Sequence, residues 1–128
     1  MPFDWLEFLR LAKTLAVNGD EASKRTAISR AYYFIFNLAY ARTVKNCGSK
    51  PQGQQVGMHA WCWQKYSSNQ DAACRALGIE GGRLKRRRQD ADYESNDIRR
   101  LDDVCNRMLM DVQQFHADLS NLNPALPN

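Results

Sequence analysis

The stretch "AISRAYYFIFNLAYAR", residues 27–42, decides the fold. Its apolar heart, Ala31–Ala41, lies between Arg30 and Arg42 and falls well short of the ~20 residues that a membrane-spanning helix needs. It reads as a core helix. Tyr32, Tyr33, Phe34, Phe36 and Tyr40 would stand on several sides of that helix, as expected of the central member of a bundle with neighbours all round. The same helix carries a polar line, Thr26, Arg30, Tyr33, Asn37 and Tyr40, whose steps of four and three place all five on one face. The line is either a solvated edge or the border of a cleft or subunit interface, with Arg30, Tyr33 and Asn37 as its lining residues.

Working outward, the rest of the 128-residue chain is helical in period and shows no alternating strand pattern and no internal repeat. The fold class is all-α, a bundle of four to five helices. With 44% hydrophobic and 25% charged residues the chain is one globular domain with a small core, placed at residues 1–122, followed by the tail "NPALPN" at 123–128. The net charge of +4 leans towards anionic partners, although an excess this modest also occurs in proteins that bind none. Cys47, Cys62, Cys74 and Cys105 form no Cys-x-x-Cys pair, and the start "MPFDWLEFLR" carries acids where a signal peptide is basic and then apolar. A reduced, cytoplasmic protein without a membrane segment is expected.

Asp4 and Glu7 are spaced as a capping box for a first helix, with Phe3 and Phe8 placed as a hydrophobic staple. "NGD" ends that helix, Asn18 and Gly19 suiting a left-handed turn and Asp20 the next N-cap. Further helices are expected at about 21–46, from near Met58, and from Asp71 to Asp92 with a bend at Gly78, Gly81 and Gly82. A last helix is expected from near Asn96, with Ile98, Leu101, Cys105, Met108, Val112, Phe115 and Leu119 as its packing seam.

The segment "RLKRRRQDADYES", residues 83–95, holds the candidate chemistry. Ala73, Leu77, Gly81, Leu84, Arg88 and Ala91 step by threes and fours, so Arg88 falls on the apolar stripe. A guanidinium there costs several kcal/mol unless it is paired or borders a wet cleft. Arg83, Lys85, Arg86 and Arg87 spread over the other faces, as a solvated surface or a phosphate-binding patch. His59 and His116, the two histidines, are far apart in sequence and read as packed or surface residues. Cys62, between Trp61 and Trp63, reads as buried rather than reactive. No metal site and no cofactor is expected, and "GIEGG" lacks the Lys-Ser or Lys-Thr of a phosphate-binding loop.

Taken together, "AISRAYYFIFNLAYAR", "HAWCWQKY" and "GRLKRRRQDADYES" resemble the HEPN domain, an all-α bundle of prokaryotic toxin–antitoxin, CRISPR and phage-defence systems. The resemblance implies a homodimer. Many members are metal-independent endoribonucleases in which an Arg is followed a few residues later by a His. Here Arg88 matches the Arg, Tyr93 stands where the His would be, and Asn37 stands where relatives of the Ala-Asp-Tyr type often carry another His. A phenol titrating near 10 is a poor general base at neutral pH. The resemblance therefore implies a dimeric binding module for RNA, a nucleotide or a partner protein such as a minimal nucleotidyltransferase or other antitoxin. The alternative is a ribonuclease using Arg88 with Tyr93 or Asp92 in place of the missing His.

Overall fold

A computed structural model describes residues 2–128. The chain forms five α-helices, α1 Leu6–Ala16, α2 Glu21–Cys47, α3 Met58–Ser67, α4 Ala72–Tyr93 and α5 Leu101–Asn121, with no strand among the described residues. None of these helices is long and apolar enough to cross a membrane.

Helix α2 is the axis of the bundle and touches all four others. Ala27, Ala31 and Ala39 let neighbours approach closely, while Ile28, Tyr32, Phe34, Ile35 and Phe36 fill the space between them and are buried. Each large side chain of this kind contributes about 1.5–3 kcal/mol on burial. Asp20 starts the helix as foreseen, its carboxylate accepting from Ser23 N at 2.8 Å and Ser23 Oγ at 3.0 Å. At the other end Gly48, with φ of 80°, takes a positive-φ conformation that only glycine adopts freely.

Four local expectations need correction. The α1–α2 junction contains no left-handed residue at Asn18 or Gly19, and Asp4 serves α1 by accepting from Leu6 N at 3.0 Å while Glu7 pairs with Arg10 instead of closing a capping box. The aromatic staple does form, with Phe3 and Phe8 centroids 5.5 Å apart. Helix α4 runs unbroken past its glycines, and at Gly78 and Gly81 their role is contact: a Cβ on Gly78 would lie 2.3 Å from Ser67 N, and one on Gly81 would lie 2.3 Å from the Trp63 ring. Helix α5 begins at Leu101 rather than near Asn96. The Arg25 guanidinium takes the carbonyls of Glu94 at 2.6 Å and Asn96 at 2.8 Å, so this backbone is used before a helix can claim it, and Arg100 turns the chain through a left-handed conformation (φ 56°).

The stretch beyond 122, read as a tail outside the domain, is bound to it. Arg42 donates to the carbonyls of Leu119, Leu122, Asn123 and Leu126 at 2.6–3.0 Å, and Pro127 is buried. One guanidinium thereby satisfies open C-terminal carbonyls of α5 and fastens the chain end to α2.

Candidate functional site

Arg88 is buried, as its place on the stripe of Leu77, Gly81, Leu84 and Ala91 requires, although Ala73, expected on that stripe, is exposed and Cys74 is buried in its place. Its guanidinium carbon lies 5.4 Å from the Tyr32 ring centre and 5.5 Å from that of Tyr33, both on α2. The faces of these rings are electron-rich and favour a cation. Asp92, one turn further along α4, is 3.6 Å from Arg88 Nη1 and accepts from Ser29 Oγ at 3.3 Å. The pairing is loose, because charge-assisted hydrogen bonds close to about 2.7–2.9 Å. Arg88 Nε is buried and has no hydrogen-bond partner among the described residues.

Against this centre stands a residue that is inconspicuous in the sequence. His59, near the start of α3, stacks on Phe36 with ring centres 3.9 Å apart, and its Nδ1 is 2.7 Å from the Tyr32 hydroxyl. That hydroxyl also accepts from Trp63 Nε1 at 3.0 Å. Tyr32 is fully buried, so its single proton must be donated to His59 Nδ1, which assigns the imidazole as the neutral Nε2–H tautomer. Burial first, and then the charges of Arg88 and Lys85, lower the His59 pKa to about 4. The same burial drives the Tyr32 phenol well above its ordinary value. The signal for His59 is weak in sequence, because its partner lies on a different helix and no spacing rule links them.

The other candidates separate. Tyr93 ends α4 with its ring exposed, and five residues beyond Arg88 it points about 140° away around the helix. Within the polar line of α2, Tyr33 reaches Arg88, whereas Arg30 lies 4.9 Å over the rings of Phe8 and Tyr33, and Asn37 returns its amide to Tyr33 O at 2.7 Å. The principal surface concavities lie elsewhere.

The basic run splits in two. Arg83 engages Glu80 through Nε and Nη2 and Asp111 at 2.9 Å, and Arg87 engages Asp111 at 2.8 Å. These two guanidiniums face α5 and are largely neutralised there. Lys85 and Arg86 have no ion pair among the described residues and, with Gln64, Gly82 and Gln89, line a groove of 420 Å³ between α3 and α4. Cys62 is buried beside Thr43, and that burial pushes the thiol up to about 12, as befits an inert core residue. No cluster of metal-binding side chains occurs among the described residues. No family model matches the chain, and neither does a curated protein or a solved structure.

Proposed function

We propose that the protein is a HEPN-like binding module of a prokaryotic toxin–antitoxin or phage-defence system, acting as a homodimer and holding a phosphate group of RNA or of a nucleotide at Arg88. The observation that carries the reading is a buried guanidinium whose Nε has no partner among the described residues and which approaches its carboxylate only to 3.6 Å. An arginine kept for stability alone would close its ion pair and satisfy its donors, because a buried unpartnered donor costs about 1–3 kcal/mol. Phosphate oxygens are the natural acceptors for such a group. Lys85 and Arg86, free of ion pairs among the described residues on the adjoining face, add attraction for the same backbone. The exposed phenol of Tyr93 at the end of α4, turned away from Arg88, supports binding over cleavage, since phenols are poor general bases at neutral pH.

A second reading, the metal-independent endoribonuclease using Asp92 or Tyr93, has one observation in its favour. His59 is an imidazole kept uncharged at neutral pH and joined to the Arg88 surroundings through Tyr32.

Fluorescence anisotropy with a labelled single-stranded RNA, run in a chelator beside a gel of the same RNA, separates the two. The expected result is binding that weakens several-fold in Arg88→Met, with the RNA left intact and light scattering reporting a dimer. Arg88→Met should leave the protein folded, because the carboxylate it leaves behind, Asp92, is partly exposed and can be solvated, and a melt recorded alongside checks this. Arg88-dependent cleavage in the chelator would establish the ribonuclease reading. RNA binding untouched by Arg88→Met, or a monomer at tens of micromolar, would remove the first.

A further inference from the structure

The basic run of α4 is the most conspicuous charge in the sequence, yet the densest concave set of arginines lies on the other side of that helix. Arg87, Arg99, Arg100 and Arg107, against one aspartate, Asp103, line a groove of 600 Å³ beside the first turns of α5. Arg87 is engaged by Asp111 at 2.8 Å and Arg100 by Asp103 at 2.9 Å, while Arg99 and Arg107 have no ion pair among the described residues. Between the charges sit Val104, half-buried, and Met110, which is 70% exposed.

We propose that this groove docks a partner protein through an acidic segment that carries an apolar side chain. The choice of ligand follows from the lining. A groove that tracks single-stranded nucleic acid joins its positive charge to aromatic rings on which bases stack, and no aromatic residue lines this one. Arginine and methionine are instead the residues enriched at protein interfaces, where lysine is depleted, and the groove contains no lysine. Carboxylates already occupy two of its four guanidiniums from within the chain, which shows the ligand chemistry these side chains accept. Arg99 and Arg107 then supply the open forks for a partner's acids, and Met110 supplies an adaptable apolar contact between them. The inference stands apart from the phosphate site at Arg88, which faces the α2 side of α4.

The test is an NMR titration of the ¹⁵N-labelled full chain with a soluble synthetic peptide in which glutamates alternate with leucines at helical spacing. The same peptide with glutamine for glutamate, and a uridine dodecamer, serve as comparisons. The expected result is perturbation of amides from Arg99 to Met110 by the acidic peptide, at least fivefold weaker for the neutral peptide. It should be lost in the Arg99→Gln, Arg107→Gln double variant and reduced in Met110→Gln. Neither variant removes a buried group, so both should keep the parent spectrum elsewhere. The proposal is overturned if the acidic peptide leaves these amides unmoved at millimolar concentration, or if the dodecamer moves them at lower concentration than the peptide. It is equally overturned if they shift with protein concentration alone, which would make the groove a contact between copies of the chain.

Discussion

The Tyr32 hydroxyl and His59 Nδ1, 2.7 Å apart across the contact of α2 and α3, fix the imidazole in its uncharged form next to Arg88. The consequence is a pH dependence with a definite sign. The folded state holds the His59 pKa at about 4, whereas an unfolded histidine titrates near 6.5. Between these values the unfolded chain binds the extra proton, so His59 contributes stability that is complete above about 6.5 and is lost as pH falls towards about 4. Denaturation midpoints of the parent should therefore drop faster over that window than those of His59→Gln. Equal slopes for the two proteins would show that the imidazole is not held neutral. A long-range ¹⁵N–¹H spectrum should also place the ring proton on Nε2.

The three glycines of α4 should behave differently although they lie within about one turn and a half. Gly78→Ala drives a methyl into the Ser67 backbone, which cannot yield, and Gly81→Ala drives one into the Trp63 ring. Each should destabilise by about 1–3 kcal/mol, the usual range for overpacking. Among the described residues nothing beyond its own stretch of helix lies within 4 Å of a Cβ on Gly82, so Gly82→Ala should stabilise by up to about 1 kcal/mol through helix propensity alone. Thermal melts of the three variants decide the matter. A stabilised Gly78→Ala would mean that α3 and α4 do not approach as described.

What is legible in the sequence is whatever depends on periodicity within one segment. The burial of Arg88 on its stripe and the seam from Cys105 to Leu119 follow from steps of three and four, and the central place of α2 from aromatics on several of its sides. What is not legible depends on partners brought together by packing. Gly78 and Gly81 look like breaks because glycine lowers helix propensity wherever it stands, and only the approach of Ser67 and Trp63 reveals their use. The start of α5 falls later than its pattern suggests because Arg25, some seventy residues earlier, takes carbonyls that a helix would have needed. Arg83 and Arg87 look available in sequence because Asp111 lies on another helix. His59 is inconspicuous for the same reason, its neighbours Tyr32 and Arg88 being distant along the chain.

Arg42 should count among the largest single contributors to stability outside the apolar core. It donates to four carbonyls at the end of α5 and in the last residues, and hydrogen bonds to a charged group contribute about 1.5–3 kcal/mol each at best. These bonds share one side chain and are not additive, so Arg42→Ala should cost about 2–4 kcal/mol in total. Deleting residues 124–128 removes one of these four bonds together with the buried Pro127 and the Asn46 bond to Pro124 O, and should also cost stability. In the shortened chain Arg42→Ala should lose correspondingly less, because the two changes act on one network. Strict additivity in chemical denaturation would show that the chain end is not held by this guanidinium.

Asp111 is the residue that decides how much of the basic run reaches an anionic partner. Burial pushes its carboxyl pKa up, but Arg83 and Arg87 outweigh that and hold it below the ordinary value, so at neutral pH it is a full negative charge against both guanidiniums. Asp111→Asn keeps the shape and one acceptor oxygen while removing that charge. If RNA is drawn to the α4 surface, the variant should bind single-stranded RNA more tightly at low salt, because Arg87 is released to the phosphate backbone while Arg83 keeps only Glu80. The plot of log affinity against log salt should steepen by about 0.7 for the further phosphate that Arg87 neutralises. The ion pairs given up are partly exposed, so the stability cost should stay near ~1 kcal/mol, and a melt recorded alongside confirms that the variant is folded. A folded Asp111→Asn protein with unchanged affinity and unchanged salt slope would show that the Arg83 and Arg87 side of α4 never meets the nucleic acid. RNA contact would then be confined to Lys85, Arg86 and Arg88 on the faces towards α3 and α2.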